Sequence, residues 1–203
     1  KPDTVVVITP HGPAFSNALC ISSGLELRGS FRNFGRPDLK FLFRNDIELK
    51  NGILRKAAEK DVKVAELDDN FARRYSVSAE LDHGALVPLY YISRRYGEFS
   101  LVHISIGFLP YDELYAFGTA VREAVDGLPA RRVVIVASGD LSHRLTPDAP
   151  AGYDKRGREF DEKIVSIIKD ADVEGIMSMD KALIESAGEC GMRPFVILFG
   201  TLD

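Results

Sequence analysis

Hydrophobic residues along the chain follow two alternating periods. Short runs that are apolar or rich in β-branched side chains recur at Val5–Thr9, Ala18–Ser22, Lys40–Phe43, Val62–Ala65, Leu101–Ile106 and Arg132–Ala137, and runs of that length between Gly, Pro and polar breakers predict buried strands. Between them the spacing becomes helical. Asp46–Glu59 opens on a capping Asp and puts Ile47, Leu49, Ile53, Leu54, Ala57 and Ala58 on an apolar stripe, and Tyr111–Val125 and Arg158–Lys169 are similar. Arg193–Leu202 is apolar nearly all round with Pro194 early, which predicts a buried helix starting near that proline, with a late strand as the alternative. Strands alternating with helices imply an α/β fold: one three-layer domain over residues 1–203, its mostly parallel or mixed sheet covered by helices on both faces. The longest predicted loop is Thr146–Gly157, placed where a lid would be.

Composition narrows the partners. At 203 residues and 45% hydrophobic the chain can bury one sizeable core, and its net charge of -4 argues against a nucleic-acid or anionic-membrane surface. Arginines between Arg28 and Arg44 are interleaved with Phe31, Phe34, Phe41 and Phe43, a pattern that suits base stacking but that the overall charge turns into a strand-and-loop segment with exposed cations. Two cysteines, Cys20 and Cys190, do not make a disulfide framework, which predicts a reducing cytoplasm; no apolar stretch is of bilayer length and Lys1-Pro2-Asp3 is no signal peptide. Self-association is left open.

The polar residues that end the apolar runs carry the chemistry. His11 closes Thr4-Val5-Val6-Val7-Ile8-Thr9-Pro10 and so lies at the carboxyl edge of a sheet, where open α/β folds keep their ligands. His143 ends Ala137-Ser138-Gly139-Asp140-Leu141-Ser142, a small-residue turn after a strand; it reads either as a proton-transfer group or as a surface histidine after a capping turn. His83 precedes an apolar run resembling a helix that enters the core, and is either a turn histidine or one whose tautomer Asp82 fixes. His103, inside Leu101–Ile106, reads as a core or supporting histidine with one bonded nitrogen. Glu189 and Cys190, just before the last helix, are candidate anionic metal ligands, since a carboxylate there needs a partner or a metal. A non-haem Fe(II) centre needs two neutral imidazoles and one anionic ligand on one face; the chain offers His11 and either Glu189 or Cys190, without an obvious second histidine.

Four motifs in order, Val-Val-Val-Ile-Thr-Pro-His-Gly-Pro, Leu-Asp-His-Gly-Ala-Leu-Val-Pro-Leu, Ala-Ser-Gly-Asp-Leu-Ser-His and Glu-Cys-Gly-Met-Arg-Pro, resemble the class III extradiol ring-cleavage dioxygenase (LigB-type) superfamily over nearly the whole chain. They are most similar to the LigB-like domain of AmmeMemoRadiSam proteins, often fused to an AMMECR-type domain. The resemblance implies His11 as a metal ligand, His143 as catalytic acid/base, His83 as a contact to substrate or oxygen, and Glu189 or Cys190 as the third ligand. Hardness towards Fe(II) favours Glu189, while Cys followed by Gly and Pro in the Memo-like branch favours Cys190, with Zn or Cu as alternative metals. It also implies a further strand and a histidine-bearing loop before Lys1, so the chain is expected to be truncated at its N-terminus. The implied activity is ring cleavage of a catechol-type substrate with O2. The alternative is a non-catalytic metal-binding or regulatory module acting with a radical-SAM or AMMECR partner. Metal-dependent hydrolysis, or a Cys190–His nucleophilic pair, uses the same residues and ranks last, because no oxyanion-hole motif accompanies them.

Overall fold

A strand with no polar face has to be covered on both sides. Thr4–Thr9 (β1) is buried at every position and runs inside a five-stranded sheet in the computed structural model, which describes all residues from Lys1 to Asp203. After it come Leu19–Ser22 (β2), Glu26–Phe31 (β3), Arg36–Arg44 (β4), helix Ile47–Glu59 (α1), Val64–Leu67 (β5), helix Asp69–Tyr75 (α2) and helix His83–Tyr96 (α3). The second half holds Ser100–Ser105 (β6), Tyr111–Asp126 (α4), Val133–Ala137 (β7), Arg156–Asp170 (α5), Val173–Met177 (α6), Lys181–Ala187 (α7) and Met192–Gly200 (α8). Strand order is β5-β2-β6-β1-β7, parallel throughout except for the antiparallel β2–β6 pair, so the sheet is mixed and mostly parallel.

The period of two along β1 divides the core. Val6 and Ile8 face a large apolar layer in which α1, α4, α5 and α8 bury Leu49, Phe117, Phe160 and Val196, while Val5 and Val7 face a smaller one closed by α3 and the β3–β4 hairpin through Leu86, Leu89 and Phe43. Each of these buried side chains is worth about 1.5–3 kcal/mol relative to exposure. Asp46 caps α1 by accepting the Leu49 N–H at 3.1 Å, and also takes the Thr4 hydroxyl and two Arg131 bonds, pinning the start of β1 to α1 and to the approach to β7.

Several local expectations shift. The late apolar run is a helix and not a strand, since Pro194 sits in its first turn, where a missing N–H leaves no bond unmade. β5 lies two residues later than the sequence suggests, and the short helices α2, α6 and α7, each started by an Asp side chain, have too few turns to show a period. The Arg28–Arg44 stretch is largely a hairpin forming its own two-stranded sheet, with Phe43 stacked on Phe99 at 5.4 Å. The irregular stretch after β7 starts earlier than expected and ends as α5 begins at Arg156. β7 is an edge strand: its outer side has no partner, and Val134 is 44% exposed. No helix is long and apolar enough to cross a membrane.

Candidate metal centre

Three turns meet at the carboxyl end of the neighbouring strands β1 and β7. β1 runs out at Thr9, and Pro10, with no N–H to offer a ladder, releases the chain so that His11 stands clear of the sheet. β7 runs into Ser138-Gly139-Asp140, and Glu189-Cys190-Gly191 leads into α8. The second and third turns are fastened by their backbones: the Gly191 N–H donates to the Asp140 carbonyl at 3.0 Å, and the Asp140 N–H points at Cys190 Sγ at 3.1 Å. This approach requires Gly139, because a Cβ there would stand 2.5 Å from the Gly191 Cα.

The result is a cluster of three donors. One ligand atom each from His11, Asp140 and Cys190 lies within 4.8 Å of the others, with His11 Nε2 3.7 Å from Cys190 Sγ. Metal–ligand bonds of roughly 2.0–2.3 Å put donor atoms about 3–4 Å apart, so an imidazole, a carboxylate and a thiolate at this spacing fit a first-row divalent cation. Burial and the neighbouring His83 push the His11 pKa down against the pull of Asp82 and Asp140, which keeps the imidazole lone pair free for a metal. Burial pushes the Cys190 thiol up, the Asp140 N–H pulls it back, and the charges of Asp140 and Glu189 add to the rise. Such a thiol is a poor free nucleophile near neutrality, which gives the nucleophilic-pair reading no support.

Glu189 is turned away from this cluster. Its carboxylate accepts the Met192 N–H at 2.6 Å in the first turn of α8, an unpaired donor that any helix start must satisfy. Burial raises its pKa, and the helix N–H groups and Arg193 oppose that rise. The partner that a carboxylate at this position needs is therefore a helix end.

One imidazole stands on each flank. His83, the first residue of α3, stacks on His11 with ring centroids 4.2 Å apart, and Phe34 at the hairpin tip lies 5.3 Å further on. These residues, with Arg32 and Glu80, line an open groove that reaches His11. On the other side, His143 Nδ1 lies 2.5 Å from the Gly188 carbonyl and Nε2 lies 3.3 Å from Asp140 Oδ2; both partners only accept, and the shorter contact anchors the ring through Nδ1. Asp82 does not fix the His83 tautomer. It caps α3 through the Ala85 N–H and pairs with His103, which is 1% exposed and bonded at both ring nitrogens rather than one. Burial would raise the Asp82 pKa, but the bonds from His103, Thr9 and Ala85 outweigh it and hold the group at about 2.

All of residues 1–203 match the family model described as the catalytic LigB subunit of aromatic ring-opening dioxygenase. The chain belongs to the LigB family. A protein of Clostridium acetobutylicum is 39% identical over 202 residues, covering 100% of this chain and 43% of the relative. A MEMO1 family protein of Pyrococcus abyssi is 33% identical over 147 residues, 66% of this chain and 49% of that protein. The chain thus spans about half the length of the curated relatives it matches.

Within this LigB-family site, sequence reading placed Asp140 only in the turn and not among the ligands. The available signal was its place three residues after Ala137, the last residue of β7, and three before His143. A second residue went unseen for a subtler reason. Pro88, in the interior of α3, has no N–H for the carbonyl of Gly84 four residues back, and Ser138 Oγ donates to that carbonyl at 2.6 Å instead. The helix defect thereby ties the β7 turn to the start of α3. Ser138→Ala is expected to cost about 2 kcal/mol, the lost bond plus a buried carbonyl left unpaired. In a Pro88→Ala background, where a helical N–H returns, that cost should shrink by about 1 kcal/mol. A urea-unfolding double-mutant cycle checks this, and strict additivity would contradict it.

Proposed function

We propose that this LigB-family chain is an Fe(II)-dependent extradiol dioxygenase that opens the ring of a catechol-type substrate with O2. The observation that supports the reading is the gathering of the His11, Asp140 and Cys190 donors within 4.8 Å, with an imidazole on either side. His11, Cys190 and Asp140 would hold the metal. Glu189, the harder anionic alternative, would have to leave the first turn of α8 to join them. The family resemblance also implies a histidine from a loop outside these 203 residues, and this reading includes it. When bound, iron supplies the electron exchange between an aromatic diol and dioxygen. His143, anchored through Nδ1 to Gly188, presents Nε2 to take a proton from a substrate hydroxyl and to return it later. His83, in the groove with Phe34, donates a hydrogen bond to the substrate.

Full-length protein loaded anaerobically with Fe(II) is expected to consume oxygen with at least one member of a catechol panel; iron-bound protein that takes up none contradicts the reading. His143→Ala should then reduce turnover by about 10²–10⁴-fold with metal content retained. Loss of metal instead would make His143 a ligand.

The presence of Cys190 in the cluster favours a second reading, a Memo-like metal-binding or regulatory module acting beside an AMMECR-type or radical-SAM partner in a reducing cytoplasm. A thiolate suits Cu or Zn as well as iron, and both cysteines are free. Tight metal binding without oxygen uptake in the same assay, together with co-purification of such a partner, would select it.

A further inference from the structure

Beneath the cluster lies a buried chain of hydrogen bonds that the proposed chemistry does not use. Ser22 Oγ on β2 is 2.9 Å from His103 Nδ1, and His103 Nε2 on β6 is 3.1 Å from Asp82 Oδ2. The other Asp82 oxygen takes the Thr9 hydroxyl at 2.6 Å, and Thr9 Oγ1 accepts the His11 backbone N–H at 3.2 Å. The roles along the chain fix one another. An ionised carboxylate only accepts, so Thr9 gives it its single proton and His103 gives it the Nε2 proton; His103 Nδ1 then accepts from Ser22.

Packing alone does not call for this arrangement. A helix start is capped equally well by Ser, Thr or Asn, and a Leu at position 103 would fill a strand interior without burying an imidazole–carboxylate pair that costs several kcal/mol to desolvate. What the chain does specify is the relative placement of two backbone segments. It grips residue 11 by its amide and grips residue 82, directly before His83, by its side chain. These are the two shoulders of the His11–His83 stack. The fit is close: a Cβ on Gly84 would stand 2.5 Å from Thr9 Oγ1 and 3.0 Å from His11 Cδ2.

We propose that Asp82 and His103 are positioning residues that set the His83 ring against His11, and so aim the hydrogen-bond donor on that flank of the metal cluster. The role of that donor rests on the dioxygenase reading, whereas the stacking itself is measurable without metal or substrate.

These 203 residues hold four histidines, and replacing each singly identifies its imidazole resonances in the spectrum of metal-free, ¹⁵N-labelled full-length protein. Rings 4.2 Å apart shift one another's protons upfield. His103→Leu is expected to remove that mutual shift from both His11 and His83. His103→Gln, which can still donate to Asp82 and accept from Ser22, should retain most of it. Val102→Ala, a cavity in the same strand with a stability loss of its own, should retain it fully. Should His103→Leu not fold, Thr9→Val, which drops one donor while keeping the side-chain shape, is expected to weaken the shift. Unchanged shifts in both His103→Leu and Thr9→Val, or a loss just as complete in Val102→Ala, would overturn the proposal. In turnover, His103→Leu should lower kcat by about 10–100-fold with KM within about twofold, and His103→Gln should recover most of the loss.

Discussion

Cys190→Ala is expected to weaken binding of Fe(II) or Zn(II) by more than the roughly 10–100-fold that an outer hydrogen-bond partner of a ligand is worth, whereas Glu189→Gln should keep the metal. The difference follows from what each side chain touches. Cys190 Sγ lies 3.7 Å from His11 Nε2, while the Glu189 carboxylate is held by the Met192 N–H. A Gln at 189 still accepts that bond and loses only the charge at a helix start, about 0.3–1 kcal/mol of stability. Proton release gives a second signature. Burial holds Cys190 as a thiol near neutrality, so binding must expel one proton, and affinity should rise about tenfold per pH unit between about pH 6 and 8. His11, its pKa lowered, is already neutral over most of that range and contributes little to the slope. In Cys190→Ala the slope should flatten. Metal analysis after dialysis, repeated across pH, measures both effects. A metal-free Glu189→Gln beside a metal-replete Cys190→Ala would return the ligand role to Glu189.

Gly139→Ala is expected to be the most disruptive single methyl group in the site. The added carbon would meet the Gly191 Cα at 2.5 Å and the Cys190 carbonyl oxygen at 3.2 Å. Both obstacles are backbone, so no side-chain rotation relieves them and one turn has to move. Overpacking of this kind costs about 1–3 kcal/mol, and the displacement separates Asp140 from Cys190. Chemical denaturation should therefore show a lower midpoint, and metal binding should fall further than stability does. Wild-type metal affinity in a folded Gly139→Ala protein would mean that the two turns need not touch for the donors to converge.

The parts of this molecule that were legible in its sequence are those written in a single segment. The valines of β1, the capping Asp46 of α1 and the first-turn Pro194 of α8 announce themselves locally, because period, cap and proline chemistry act within a few residues. His11, His83 and His143 could likewise be picked out as ends of apolar runs. What stayed hidden depends on which segment lies beside which. Choosing between Glu189 and Cys190 required knowing which of two adjacent side chains turns to the helix start and which to the strands. The Asp82–His103 pair joins residues 21 apart in sequence, and Ser138 answers the Gly84 carbonyl, 54 residues earlier, that Pro88 leaves without an N–H. No window along the chain contains both members of these pairs.

The open side of β7 bears on solubility rather than on chemistry. Its sequence, Val133-Val134-Ile135-Val136-Ala137, is that of an interior strand, yet one row of its amide and carbonyl groups has no partner in the sheet. Natural edges are usually blunted by a lysine, a proline or a bulge, and this one carries none of them. When the 203-residue chain is handled by itself, this rim is where unwanted strand-to-strand association would begin. Val134, with 44% of its surface already in solvent, is where a lysine would blunt that edge with the least disturbance to the core.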